Sequence, residues 1–386
     1  MNQSPNPAFF ALLRSAILDT KLSKQECTLI SEESVNEWIK LASKHDVQHL
    51  IAYGLKKNGL LSENDHKSQA QISKAVFRYA QLNYEFQRAC SILEAEGIPF
   101  IPLKGTVLRQ YYPEPWMRTS CDIDILLHEE DLEKAADIFV KEGGTIPWGK
   151  GSHDISVFTS NHTHLEFHYT LVEEGLACEA ATVLNNVWEY TAICDSFHKK
   201  YEMSDEMFYF YHIAHMAKHF ELGGCGIRSF LDLWILDQME SVDPEKRDAL
   251  LVQGKLFKFA NAARKLSRVW FEGEEMDPVS CQMEAYVIRG GVYGSSENRI
   301  TVQQQKKGGR LKYAVSKIFL PYEVLLFHYP ILQKHRWLMP VMEVRRWGKL
   351  LFCGHAKRVT RELVYNQKIS KGTADDTQNF LTSIGL

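Results

Sequence analysis

Between residues 8 and 97 the apolar positions recur at helical spacing. FFALLRSAIL, VNEWIKLASKH and VQHLIAYGLKKNG each gather their hydrophobic side chains on one face, and Gly59 is placed to stop the third. The longest stripe runs from about Asp65 to Glu96 through Ala70, Ala75, Tyr79, Leu82, Phe86 and Leu93, until Gly97 and Pro99 end it. Between Gly97 and Val172 the period changes to that of strands. IPFIPL, CDIDILL, DISVFTS and THLEFHYTL read as strands, Lys104-Gly105-Thr106 as a turn, VLRQYY as one or two helical turns, and EEDLEKAADIFVKEGG as an amphipathic helix closed by Gly143 and Gly144. Connections between the later strands are too short for parallel crossovers, so the sheet is expected to be mixed.

Beyond Val172 helical spacing returns. MFYFYHIAHMAKHF and IRSFLDLWIL read as helices, and Pro244 to Phe271 as one long helix ended by EGEEMDP. Glycines cluster in RGGVYGSSEN and KKGGR, which read as a mobile loop or hinge, and KISKGTADDTQNFLTSIGL reads as a polar, loosely ordered end. The expected class is α+β: a helical region over 1–97, a small mixed-sheet core over 98–175, and a helical region over 176–386.

Composition changes this picture little. With 386 residues, 45% hydrophobic and 24% charged, the chain has the make-up of a soluble globular protein with room for two or three cores. Eight cysteines stand singly with no C-x-x-C pair, which argues against a disulfide framework or zinc knuckle and fits a reducing cytoplasm. Arg14 interrupts FFALL and no small-residue cleavage site follows, so this stretch reads as helix and not signal peptide. No run approaches the roughly 18 apolar residues of a membrane span.

Charge distribution changes it more. The net charge is only −3, but residues 299–361 hold fourteen Lys or Arg against Glu323 and Glu343, leaving about −15 on the remainder. This basic segment can meet a nucleic acid acceptor, a triphosphate or polyanionic substrate, or a membrane surface, with Phe327, Tyr329, Trp337 and Trp347 interleaved among the charges. A solvated face on a helical cap is the equally open alternative.

The chemistry concentrates in PFIPLKGTVLRQYYPEPWMRTSCDIDILL. Alternation places Asp122 and Asp124 on one strand face, with Cys121, Ile123 and Ile125 on the other. Adjacent carboxylates repel, so such a pair calls for a cation, although a solvated amphipathic strand leaves the same local pattern. In THLEFHYTL, His164, Glu166 and His168 share a face, and if that strand lies beside CDIDILL, Glu166 completes a triad with the aspartates. Three carboxylates suit a hard divalent ion, Mg²⁺ or Mn²⁺, and Glu166 or a water it holds can deprotonate an attacking hydroxyl.

Around these acids, Gly105 permits close backbone approach to a ligand and Thr106 can offer an N–H and a hydroxyl to a phosphate. Arg118 can reach the same anion by a bidentate contact, and Lys104 adds positive charge or simply ends a strand. Arg118→Ala is therefore expected to weaken triphosphate binding with the fold intact. Asn at position 122 or 124 is expected to abolish transfer with little loss of stability. Farther on, His212, His215 and His219 lie on one side of a helix without H-E-x-x-H spacing, lining a cleft or capping a core. Arg228 and Asp232 share a helix face at i, i+4, a surface pair worth a few tenths of a kcal/mol.

LKGTVL, then RTSCDIDILL, then LEFH together resemble the polymerase-β-type nucleotidyltransferases. Leu-Lys-Gly followed by Arg-x-x-x-Asp-Ile-Asp resembles the uncharacterised nucleotidyltransferase branch often found in bacteria. The resemblance implies a small nucleotidyltransferase core that moves a nucleoside monophosphate from a nucleoside triphosphate such as ATP to an acceptor hydroxyl. On that basis Lys104, Gly105, Thr106 and Arg118 would bind the nucleotide, and Asp122, Asp124 and Glu166 would ligate metal. His168, His215, His219, Arg228 and Asp232 would form a cleft wall. Gly-Thr stands where the superfamily commonly has Gly-Ser, and Glu166 where aspartate is frequent; both keep the functional groups. The acceptor, whether small molecule, protein or RNA, stays open. The alternative is a non-catalytic relative that binds nucleotide or a partner, against which three converging carboxylates and Gly105 weigh.

Overall fold

The structure is a computed structural model that describes residues 7–18, 20–61, 65–173, 176–352 and 356–386. A long helix, His66–Ala95, starts where the Asp65 side chain accepts from Ser68 N at 3.0 Å and leads directly into β1, Phe100–Pro102. β1 pairs antiparallel with β2 (Asp122–Leu127), β2 pairs parallel with β4 (His164–His168), and β4 pairs antiparallel with β3 (Asp154–Phe158), giving the order β1-β2-β4-β3. The sheet is mixed, as its connections require, and the helix Leu132–Lys141 makes the crossover that lets β2 and β4 run parallel.

Period-two alternation sorts the sheet's faces. Ile123, Ile125 and Leu127 of β2 join Leu165 and Phe167 of β4 in a core against Leu82, Phe86 and Leu93 of the long helix and Leu132, Ala135 and Phe139 of the crossover helix. Each such leucine, isoleucine or phenylalanine contributes roughly 1.5–3 kcal/mol on full burial. A one-residue slip of either strand would turn its acids into this core, so burial of the apolar face fixes the register.

The opposite face meets a second, larger core. Ile101 and Leu126 pack there with Phe9 and Leu12 from the helix Pro7–Leu18, Leu50 and Leu55 from Gln48–Lys57, and Phe210 and Ile213 from Asp205–Glu221. Phe10 stacks on Trp270 with ring centroids 4.6 Å apart, so helices that precede and follow the sheet share one apolar interior.

Several elements differ from expectation for identifiable reasons. Lys104-Gly105-Thr106 opens a short helix, Lys104–Leu108, and is not a turn. β5 (Thr191–Ile193) and β6 (Tyr201–Met203) form a hairpin where helix was expected; three-residue strands carry too little alternation to show, and this hairpin is held by the free edge of β1, where Phe100 N donates to Lys199 O at 2.9 Å. The helix expected over Pro244 to Phe271 is two helices, Pro244–Gln253 and Phe257–Glu272, because Lys255 takes a left-handed φ of 54°. At the far end Lys371–Ser383 is helical, with Phe380 and Leu381 buried in the larger core.

The basic segment forms helices whose cations are partly consumed within the fold. Lys306 pairs with Glu221 at 2.6 Å, Arg346 with Glu343 at 2.7 Å, and Arg299 and Lys317 with Glu362 at 3.2 and 3.0 Å. The side chains of Glu323, Phe327, Lys357 and Arg358, and residue Cys353, lie outside the described residues. Among the described residues, no helix is long and apolar enough to cross a membrane.

The glycine-rich passage over 290–296 is tied down and is not a hinge. Val292 N donates to Lys44 O at 3.0 Å, Gly294 N to Gly291 O at 3.0 Å and Ser295 N to Gly223 O at 3.1 Å. Gly294 has φ +70, and a Cβ there would land on the Gly223 carbonyl. Gly294→Ala is therefore expected to destabilise the protein by about 1–3 kcal/mol in urea unfolding, with the slope unchanged.

Candidate functional site

Strand pairing assembles the site. In the β2–β4 register Asp122 lies opposite His164 and Asp124 opposite Glu166, so acids some forty positions apart meet on the face turned from the smaller core. One ligand atom from each of Asp122, His164 and Glu166 lies within 4.8 Å of the others, and the same holds for Asp124, Glu166 and His168. Glu166 belongs to both groups. The structure thus sets Glu166 with each aspartate in turn, in two separate groups that each include a histidine.

Counter-charges are built in. Lys104, held at a positive φ of 45°, donates from Nζ to Asp124 Oδ1 at 2.8 Å. His168 Nε2 lies 2.8 Å from the same oxygen. Burial alone would raise the Asp124 pKa, but the Lys104 ammonium and His168 overrule it and hold the carboxyl well below its usual range. An ionised carboxylate only accepts, so His168 Nε2 carries the proton of that bond. Asp122 differs. Burial, then the charges of Asp124 and Glu166, push its pKa up, and among the described residues it forms no ion pair. This leaves a negative field that a divalent cation would relieve, and the oxygen donors of Asp122, Asp124 and Glu166 suit a hard ion.

A family model described as "Uncharacterised nucleotidyltransferase" matches residues 31–272. The chain belongs to that family. A search of curated proteins finds no match. The matched residues include the three acids, the Lys104–Leu108 helix and the Asp205–Glu221 and Ile227–Leu236 helices, and end before the 290–296 passage.

The acids open into a cleft of about 420 Å³. Lys104, Gly105 and Arg118 line it on the sheet side, and Tyr211, His215, His219, Arg228, Asp232 and Tyr293 line it across from them. Gly105 belongs there sterically: a Cβ would stand 3.0 Å from Ser120 Cβ. Thr106 does not line the cleft; its N–H donates to Leu103 O at 3.2 Å and its buried hydroxyl has no partner among the described residues. Arg109, which the motif did not single out, braces the loop by donating from Nε to Gly105 O at 2.9 Å and from Nη2 to Ser120 Oγ at 2.8 Å.

Arg118 and Asp232 are partners, which corrects two expectations. Arg118 Nε donates to Asp232 Oδ1 at 2.6 Å, Tyr112 OH donates to the same oxygen at 2.7 Å, and Asp232 is 1% exposed. Arg228 does not pair with Asp232; its guanidinium bonds Asp46 and the Thr119 carbonyl. Sequence distance hid both contacts, since Asp46 and Arg228 are 182 positions apart. The Lys218–Glu173 ion pair, which joins the Asp205–Glu221 helix to the segment after β4, was hidden in the same way.

The histidines of the Asp205–Glu221 helix are neutral by environment. His212 Nε2 donates to Ser229 O at 3.0 Å, and the Nε2 atoms of His215 and His219 lie 3.2 Å apart, one donating to the other. Burial, then the neighbouring His219, keeps His215 well below the usual imidazole range, and burial with Lys218 brings His219 to about 4. Burial and Lys44 bring His45, in the larger helical body, to about 4 as well.

Two outcomes follow. Arg118→Ala is expected to cost about 3–5 kcal/mol in chemical denaturation, because it leaves Asp232 buried without its cation, and Asp232→Ala is expected to cost a similar amount. Depressed histidine pKa values mean that the unfolded chain binds more protons below its own pKa of about 6.5. Stability is therefore fully present above that pH and falls as pH drops toward about 4, which a melting series over pH 4–8 measures. His168, whose pKa is raised against burial and Lys104 by Asp124 and Glu166, acts in the opposite direction: its contribution is fully present below about 6.5 and is lost as pH rises through its raised value.

Proposed function

We propose that this chain transfers a nucleoside monophosphate from a nucleoside triphosphate to an acceptor hydroxyl with the help of Mg²⁺ or Mn²⁺, the acceptor oxygen bonding to the α-phosphorus as its bond to the β-phosphate breaks and pyrophosphate leaves. The observation that carries the reading is the register of β2 against β4, which sets Glu166 beside Asp124 and the pair beneath a cleft large enough for a nucleotide.

Asp122, Asp124 and Glu166 would hold the divalent ion, which when bound neutralises charge on the triphosphate and lowers the barrier to in-line displacement at phosphorus. Glu166, half-buried and facing the cleft, is placed to take the proton from the acceptor hydroxyl. Lys104 holds Asp124 when the cleft is free and is near enough to turn its ammonium to the phosphates when they arrive. Gly105 leaves the backbone open to the phosphate chain. Arg118 acts through Asp232, fixing the loop that carries Ser120, against which Gly105 packs, to the Ile227–Leu236 helix. His215 and His219, neutral in the far wall, add hydrogen-bonding capacity without adding charge.

Labelled nucleoside triphosphate incubated with the protein, Mg²⁺ or Mn²⁺ and a cell extract should yield a labelled acceptor, and both Asp122→Asn and Asp124→Asn should abolish the label. Their stabilities should part: Asp122→Asn relieves repulsion and keeps or raises the melting temperature, while Asp124→Asn strands Lys104 and His168 and lowers it. Mg²⁺ with ATP should raise the wild-type midpoint, since a ligand of the native state alone must do so. No label above the Asp122→Asn and Asp124→Asn variants and no midpoint shift would overturn the reading.

A further inference from the structure

The phosphate end of the cleft is provided by acids and cations, but a nucleotide also needs a seat for its base. Three aromatic residues line the cleft, Phe208, Tyr211 and Tyr293. Phe208 and Tyr211 are buried in the larger core, whereas Tyr293 is 77% exposed. Its ring stands on the 290–296 passage, outside the residues matched by the family model.

An exposed ring on a loose loop would mean little, but this support is rigid. Val292 and Ser295 on either side donate to the backbone of Lys44 and Gly223 at 3.0 and 3.1 Å. The Asn298 side chain, buried, donates to Gly223 O and Tyr286 O, both at 3.1 Å. Gly291 and Gly294 lie too close to neighbouring backbone for a Cβ, and one at Gly290 would stand 3.0 Å from the Gly294 backbone. The backbone beneath Tyr293 is therefore fixed while its side chain is left in solvent. Tyr293 and His219 also line a second cavity of about 630 Å³ bounded by Arg299, Arg361 and Tyr365, so the ring stands as a septum between two hollows.

We propose that Tyr293 is the stacking platform for the nucleobase of the bound triphosphate, an inference that rests on the nucleotidyl-transfer reading and adds the seat of the base to it. A tyrosine on a fixed backbone has only two side-chain torsions to lose on stacking, and stacking tolerates any base because each has a π-face. The platform thus supplies affinity, with little choice between bases.

The test is calorimetric binding of two probes in Mg²⁺, a non-hydrolysable ATP analogue and inorganic tripolyphosphate, to wild type, Tyr293→Ala and Tyr293→Phe. Tyr293→Ala should bind the analogue about tenfold or more weakly while its affinity for tripolyphosphate and its melting temperature stay unchanged, and Tyr293→Phe should bind both probes like wild type. Equal affinity of Tyr293→Ala and wild type for the analogue would overturn the platform and leave the nucleotide site standing. A matching loss for tripolyphosphate would overturn it too, since the residue would then act on the phosphates. Failure of wild type to bind either probe would remove the nucleotide reading and this inference with it.

Discussion

Repulsion among Asp122, Asp124 and Glu166 is the constraint around which the rest of this protein is arranged. Burying like charges side by side is costly, and the chain accepts that cost by placing cationic groups against one of them, with Lys104 and His168 sharing a single oxygen of Asp124. The compensation is uneven. Asp124 is held ionised, while Asp122 keeps a raised pKa from burial and from its two acidic neighbours. That asymmetry separates a carboxylate already fixed by the fold from one left to answer an incoming cation. The left-handed backbone of Lys104 belongs to the same arrangement, because a non-glycine residue is kept in that conformation only where its surroundings over-determine it.

The walls of the cleft above the acids are tied together by ion pairs, of which Arg118–Asp232 is buried. Arg118, Asp232 and Tyr112 join the loop before β2 to the Ile227–Leu236 helix, and Arg228 bonds both Asp46 and Thr119 across the same seam. A buried pair of this kind adds little net stability over apolar packing, yet it admits few alternative geometries. Helices from the start of the chain and from its later half are locked into one interior by the aromatic contacts of Phe10, Trp270 and Phe230. The two walls of the cleft are thereby parts of one body, so groups remote in sequence can face one another at fixed separation.

The basic segment shows how a charge count differs from a charged surface. Of its cations, Arg299, Lys306, Lys317 and Arg346 are engaged with acids inside the fold. A linear surplus thus becomes in part a means of binding helices to one another, and only what stays exposed is available to a polyanion.

Local pattern determined a good deal of this. Alternation in CDIDILL and THLEFHYTL told which side chains share a face, and the stripe from Asp65 to Glu96 marked a helix that the structure places at His66–Ala95. These features follow from the periods of strand and helix, which a few consecutive residues express. The α+β class and the mixed sheet were legible for the same reason. What the tertiary structure alone decided is which strands are neighbours, and therefore that Glu166 meets Asp124 and that a histidine joins each pair of acids. It likewise decided that Arg118 serves Asp232 and that the glycines near Tyr293 make a rigid seat, since close backbone packing and loose linkage require the same residue type. Such contacts join residues 114 or 182 positions apart. No local period encodes them, because they arise only when the apolar faces have been buried and the chain's distant parts have been brought against one another.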